Sequence, residues 1–204
     1  MTYIFINDKI IDLLYIVLYD MLNKVVTQGG EYMFQVGDQI IYPLHGVGTI
    51  EAIEEKEILG KKRIYYIVNV PQTRMQMMIP QDKAESFGIR KLVQPSVFEE
   101  LLENFNKGVT DPLLYKNQKY CTDLNTKKMK SGDILKGTEI IRDLTRKNLL
   151  GKLGKEDTKM LEGARYMFIS EMMQVRCMTK EKATDLLDSV LAADVLDLEF
   201  REVK

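Results

Sequence analysis

Histidine and cysteine are nearly missing from this chain, and neither sign of charge prevails. The single histidine, His45, and the two distant cysteines, Cys121 and Cys177, supply no zinc set and no CxxC pair. Two reduced thiols suit a cytoplasmic protein. A net charge of −1 over 204 residues points to no partner by itself. Long apolar runs are lacking too. The stretch IIDLLYIVLYDML at 10–22 is interrupted by Asp12 and Asp20, whereas a membrane-spanning helix needs about 20 nearly uncharged residues. It has neither the basic start nor the small-residue cleavage site of a signal peptide. No GxxxxGK[ST], HExxH or GxGxxG occurs. His45 lies in YPLHGVG between strands, where a structural role is the simpler reading. Glu54 and Glu55 are adjacent on a strand and point to opposite faces. The residues therefore suggest no enzyme, no cofactor, no metal, no small-molecule substrate and no membrane.

What is present divides into two patterns. Residues 33–92 hold QIIY, VGTIEAIEEKEI, RIYYIVNV and MQMMIP, separated by Pro43, Gly46/Gly48, Gly60 and Pro71-Gln72-Thr73. These are short strands with turn formers between them. Gly37 before Asp38 suits a tight turn, and Gly46 and Gly48 suit a bulge or sharp bend. After Pro95 the spacing becomes helical. Ser96 and Glu99 form a capping-box pattern, and Asp111-Pro112 opens a helix that Gly132 ends. Asp133 caps a further helix whose Ile134, Ile140, Ile141 and Leu144 share a face, and two more helices cover 156–178 and 180–193. The predicted fold class is α+β: a small, strongly bent antiparallel β module, then a compact all-α part of about five helices.

Charge and methionine are unevenly placed. Residues 105–155 carry 12 Lys/Arg against 5 Asp/Glu, or +7, while 156–204 carry 7 against 11, or −4. Any one lysine reads as a solvated helix face, but an excess over a whole segment suits a polyanion. Of the methionines packed into RMQMMIP, Met75 and Met77 face one way and Met78 the other. One set belongs in the core. The other is either further core or an adaptable contact surface.

The stretch FQVGDQIIYPLHGVGTIEAIEEKEILGKKRIYYIV, followed by MQMMIP and AESFGIRKL, closely resembles the start of the CarD/CdnL family of bacterial transcription regulators. SGD at 131–133, IIRDLTRK at 140–147 and EDTKMLEGARYMFISEM at 156–172 resemble later stretches of that family more loosely. The resemblance implies a Tudor-like module, related to that of transcription-repair coupling factors, which holds the RNA polymerase β subunit. It also implies a helical domain that touches promoter DNA near the −10 element and favours the open complex. The family's Met-x-Pro pattern falls on Met78 and Pro80, with Val68 and Lys56 as further polymerase contacts. Strand-to-strand pairing is the implied mode. The family's wedge tryptophan falls on Gln118, in a chain with no tryptophan, and neither Tyr115 nor Tyr120 aligns with it. Phosphate contact is expected from Lys119, Arg142, Arg146 and Lys147. An alternative is a polymerase-bound adaptor without a DNA grip.

The family pattern begins at Met33, so residues 1–32 are extra. Gln28-Gly29-Gly30-Glu31 can be encoded by codons containing AAGGAGG, a purine-rich ribosome-binding sequence. The expected organisation is therefore a translated leader over 1–32, a polymerase-interacting domain over 33–92, a helical domain over 96–193 and a tail over 194–204. An amphipathic N-terminal helix is the other reading of the first segment.

Overall fold

Short runs rich in Ile, Val, Tyr and Met, set apart by turn formers, build the sheet. In the computed structural model, residues 33–71 and 74–202 are described, with side chains as far as Ala193. The expectation of a leader over 1–32 and part of the turn at Gln72-Thr73 lie outside the described residues. Five strands follow: β1 Gln39–Tyr42, β2 Gly46–Ile58, β3 Lys61–Val70, β4 Met75–Pro80 and β5 Arg90–Lys91. All the pairings are antiparallel, in the order β4-β3-β2-β1-β5. One face buries Phe34, Ile40, Ile50, Tyr66, Val68, Val70, Ile79, Ala84 and Ile89.

The turn at Gly37 forms as expected, with Gly37 N–H donating to Ile50 O at 2.8 Å and Asp38 N–H to Gln35 O at 3.1 Å. The bulge lies elsewhere than the glycine pair suggested, between Ile50 and Ala52. Gly46 instead has φ +89 and sits beneath a helix. A Cβ there would stand 3.2 Å from both Tyr166 and Ser170.

Six helices follow: α1 Pro95–Asn104, α2 Leu113–Lys116, α3 Gln118–Lys130, α4 Ile134–Leu150, α5 Lys155–Val175 and α6 Lys180–Glu202. The Ser96/Glu99 capping box does not form. Pro95 occupies the first turn after Gln94, without a side-chain cap, and Glu99 pairs with Arg176. The helix expected to run from Pro112 to Gly132 breaks at Asn117, which has extended dihedrals and accepts from Tyr120 N–H at 3.0 Å. That bond satisfies an amide that a helix start leaves open. Asp133 caps α4 as expected, accepting from Leu135 N–H at 2.9 Å. The last helix runs on to Glu202, past the point at which a tail was expected.

Phe98, Phe105, Leu114, Cys121, Ile140, Ile141, Leu144, Phe168, Met172 and Leu187 are among the residues of a second core between the helices. Phe34–Lys204 nonetheless forms one compact unit. A buried ion pair joins its two layers. Arg90 donates to both oxygens of Glu171, at 2.6 and 2.7 Å, and to Gly132 O at 2.6 Å, while Val93 N–H donates to Glu171 at 3.1 Å. Gly88 and Gly132 meet beside this pair. A Cβ on Gly132 would lie 2.0 Å from Gly88 O, and both residues have positive φ, so neither position tolerates a side chain. Among the described residues, no helix is long and apolar enough to cross a membrane.

Candidate partner-binding surfaces

Strand β4 separates its methionines by direction. Met77 and Ile79 pack inward, while Met78 lies on the other face and is 47% exposed. Met75 has the inward parity but begins the strand and is half exposed. Directly paired residues of an antiparallel ladder share a face. The register therefore assembles an outer face from Gln76, Met78 and Pro80 of β4, Asn69 of β3, and Ala52, Glu54 and Lys56 of β2, around Ile67 and Tyr65 of β3, which share its direction but are buried. Three residues expected to contact the polymerase, Met78, Pro80 and Lys56, come together there.

Glu51, at the bulge, accepts from Asn69 Nδ2 at 2.7 Å and Gln76 Nε2 at 2.9 Å, which steadies this face. Lys56 Nζ lies 3.0 Å from Glu54. Strand β4 ends the sheet, so its outer edge has no neighbour among the described strands. Pro80 suits such an edge because it has no N–H to donate. Val68 does not join this surface. It pairs with Met77 and lies wholly in the core, because Ile67, not Val68, shares the face of Met78. A buried side chain between two paired strands offers nothing to a partner, so Val68 is a packing residue.

The cations expected to contact DNA are placed differently. Arg142 and Arg146, on α4, are 8% and 9% exposed. Arg142 donates to Asp143 Oδ1 at 2.9 Å and to Lys107 O at 2.9 Å. Arg146 donates to Gly108 O and Asn106 O, both at 2.8 Å, and to Thr110 Oγ1 at 3.2 Å. The two guanidinium groups hold the loop between α1 and α2 through its carbonyls and Thr110, and Arg142 also pairs with Asp143 on α4. They are structural, which corrects the expectation of phosphate contact. Lys147 is likewise engaged, with Nζ 2.7 Å from Asp157 Oδ2 and donating to Gln118 Oε1 at 3.1 Å.

Gln118 closes the same cluster by donating to Asp157 Oδ1 at 2.9 Å. Beneath it Cys121 is fully buried, and burial, followed by the negative charge of Asp157, pushes its thiol pKa up. Of the four cations in the expected DNA set, Lys119 alone is exposed and without an ion pair among the described residues. Lys116, Lys152 and Lys155 are similarly exposed. Tyr115 and Tyr120 are partly exposed, and Tyr120 donates to Asp111 at 3.1 Å, which raises its phenol pKa.

Some exposed groups had no signal in the helical spacing. Val109 projects from the arginine-held loop, and Leu149 and Leu150 end α4 one turn beyond Arg146. Leu59, at the β2–β3 turn, is 97% exposed. Its signal was available: a leucine directly before Gly60, where turns favour asparagine or aspartate. His45 meets Tyr42 with ring centroids 4.7 Å apart, and its carbonyl accepts from Tyr166, so its contacts are those of packing. A cavity of about 30 Å³ beside Arg90, Lys128 and Glu171 has room for a water or two but not for a small-molecule substrate.

Two protein-family profiles match the chain. The CarD-like/TRCF RID domain covers residues 34–93, and the CarD C-terminal domain covers 102–188. A Bacillus subtilis (strain 168) protein named "Putative transcription factor YdeB" is 39% identical over 150 residues, spanning 74% of this chain and 97% of that protein.

Proposed function

Because this chain belongs to the CarD/CdnL family of bacterial transcription regulators, we propose that its β module holds the β subunit of RNA polymerase while its helical part lies against promoter DNA near the −10 element, favouring the open complex. The observation that carries the polymerase half is the outward face of the edge strand, where an exposed Met78 stands beside Pro80 and Lys56. An exposed edge recruits a partner strand through main-chain bonds, and the outward side chains select which strand. Met78→Glu and Lys56→Glu should each weaken capture of the isolated polymerase β lobe. Unchanged capture by both would remove this face from the interface.

The DNA half of the proposal rests on phosphate contact by Lys119, with Lys116 beside it in sequence and Lys152 and Lys155 at the start of α5. Gln118 stands where the family has its wedge, and its amide is already bonded to Asp157 and Lys147. A phosphate-only grip loses affinity steeply with salt, by a log–log slope of about −0.9 per neutralised phosphate. Affinity of the polymerase–promoter–protein complex, measured across salt concentrations with and without Lys119→Glu, tests this.

A specific observation favours a second reading, an adaptor bound to polymerase without a direct DNA grip: Arg142, Arg146 and Lys147 are consumed inside the protein. Promoter footprinting separates the two. Protection upstream of the −10 element that appears only with the protein supports the DNA grip, and unchanged protection supports the adaptor.

A further inference from the structure

Strands β2 and β3 continue as a pair beyond the rest of the sheet. Strand β1 pairs with β2 only as far as Thr49, and β4 pairs with β3 only from Tyr65 onward. The rungs Glu55↔Ile64, Lys56↔Arg63, Glu57↔Lys62 and Ile58↔Lys61 therefore have no third strand. Four rungs at strand rise project about 13 Å. A two-stranded ribbon is marginal alone, and three of its features work against stability rather than for it.

Leu59 and Gly60 form its turn with φ +54 and +73. The first is a conformation that leucine avoids and that asparagine, aspartate or glycine adopts readily. Leu59 is also the most exposed apolar side chain among those described, at 97%, and Ile58 beside it is 40% exposed. Lys56 faces Arg63 directly across the ladder, a repulsive pairing. Local strain and repulsion that folding does not need point to a use outside the fold.

The faces of the ribbon differ. Lys56, Ile58, Lys61 and Arg63 lie on the face that continues from Met78 and Tyr65, while Glu55, Glu57 and Lys62 lie on the other. Lys62 pairs with Glu55 at 3.5 Å and Lys56 with Glu54 at 3.0 Å, leaving Lys61 and Arg63 without ion pairs among the described residues. The outer face thus runs from an apolar patch at Met78, through cations, to an apolar tip.

We propose that this ribbon makes a second contact with the protein that Met78 binds, with Leu59 entering an apolar pocket and Arg63 and Lys61 meeting carboxylates at its rim. The inference rests on the polymerase reading given above. The apolar tip of Leu59 and Ile58, and the continuity of this face with Met78, favour a protein surface over nucleic acid, whose phosphate backbone offers no apolar pocket.

Leu59→Asn is the decisive variant, because asparagine accepts the turn geometry while losing the apolar side chain. Affinity for the purified polymerase β lobe should fall by about tenfold, on the scale of one well-seated apolar anchor, with the thermal midpoint unchanged or raised. Leu59→Gly, which suits the turn equally, should behave the same way. Arg63→Glu should weaken binding and flatten its salt dependence. Wild-type affinity in Leu59→Asn and Arg63→Glu, alongside loss in Met78→Glu, overturns the ribbon contact and leaves the polymerase reading standing. No binding by the wild-type protein overturns both. Loss of duplex-DNA affinity with unchanged lobe affinity overturns the protein pocket in favour of nucleic acid.

Discussion

Met78 and Arg146 both carry groups that a partner could use, yet they end in opposite environments. Met78, an apolar residue, stands half exposed on the outer face of a sheet. Arg146, a cation, is 9% exposed and bonded to loop carbonyls. The sheet keeps part of its apolar surface outside, and the helical part takes two of its arginines inside. The physical difference is in what fixes each side chain. Alternation sets direction along a strand whatever the distant sequence does. A guanidinium instead goes to whichever carbonyls the fold leaves unsatisfied, because a buried carbonyl without a partner is costly. The loop at 106–110 turns three carbonyls toward α4. Net segment charge therefore overstates the surface available to DNA, and hydropathy understates the surface available to a protein.

The sharpest way to break this contrast is at Lys147. Its ammonium is the counter-charge of Asp157, whose side chain is 2% exposed. Lys147→Met should cost about 3 kcal/mol, the usual penalty for leaving a buried charge without its partner. Adding Asp157→Asn should recover most of it. Denaturant midpoints of the single and double variants measure this. An unchanged midpoint in Lys147→Met would return Lys147 to the set of cations free for phosphate.

Arg146→Ala comes next, at about 2 kcal/mol, since it removes the charged hydrogen bonds that hold the loop at 106–110. Proteolysis near Val109 should speed up in the same variant, because the loop loses its anchor. A stable variant with weakened promoter binding would instead make Arg146 a surface residue.

Met78→Glu should shift stability by less than about 0.5 kcal/mol, the range of surface substitutions, while removing most polymerase β-lobe capture. Large destabilisation would place Met78 in the core with Met77.

Much of the sheet was legible from the chain. QIIY, RIYYIVNV and MQMMIP are apolar, β-branched and aromatic runs bounded by turn formers, and the opposite directions of Met77 and Met78 follow from one-residue spacing. Val68 was misplaced because resemblance assigns a position without its parity. The break at Asn117 was hidden, since Asp111-Pro112 looks like a helix start and little in the following residues marks a second one; the competing signal is the asparagine side chain, which caps as readily as it continues. The burial of Arg142 and Arg146 could not be read locally, because their acceptors lie 35 to 40 residues away.

The gentlest probe leaves both regions intact. Cys121 lies beneath the Gln118–Lys147–Asp157 cluster, and Cys177 is exposed at the end of α5. Burial, and after it the charge of Asp157, raises the Cys121 pKa, so at pH 8 little of it is the reactive thiolate. A raised pKa in the folded state means that this thiol supports folding fully below its unfolded pKa. That contribution is lost as pH rises from the unfolded pKa through the folded one. In native protein a disulfide reagent should titrate one thiol promptly, with the second more than about 100-fold slower because it waits on opening of the structure. Both should react together in denaturant. Prompt reaction of both in the native state would mean that the cluster is open, and that Gln118 and Lys147 are free to face DNA after all.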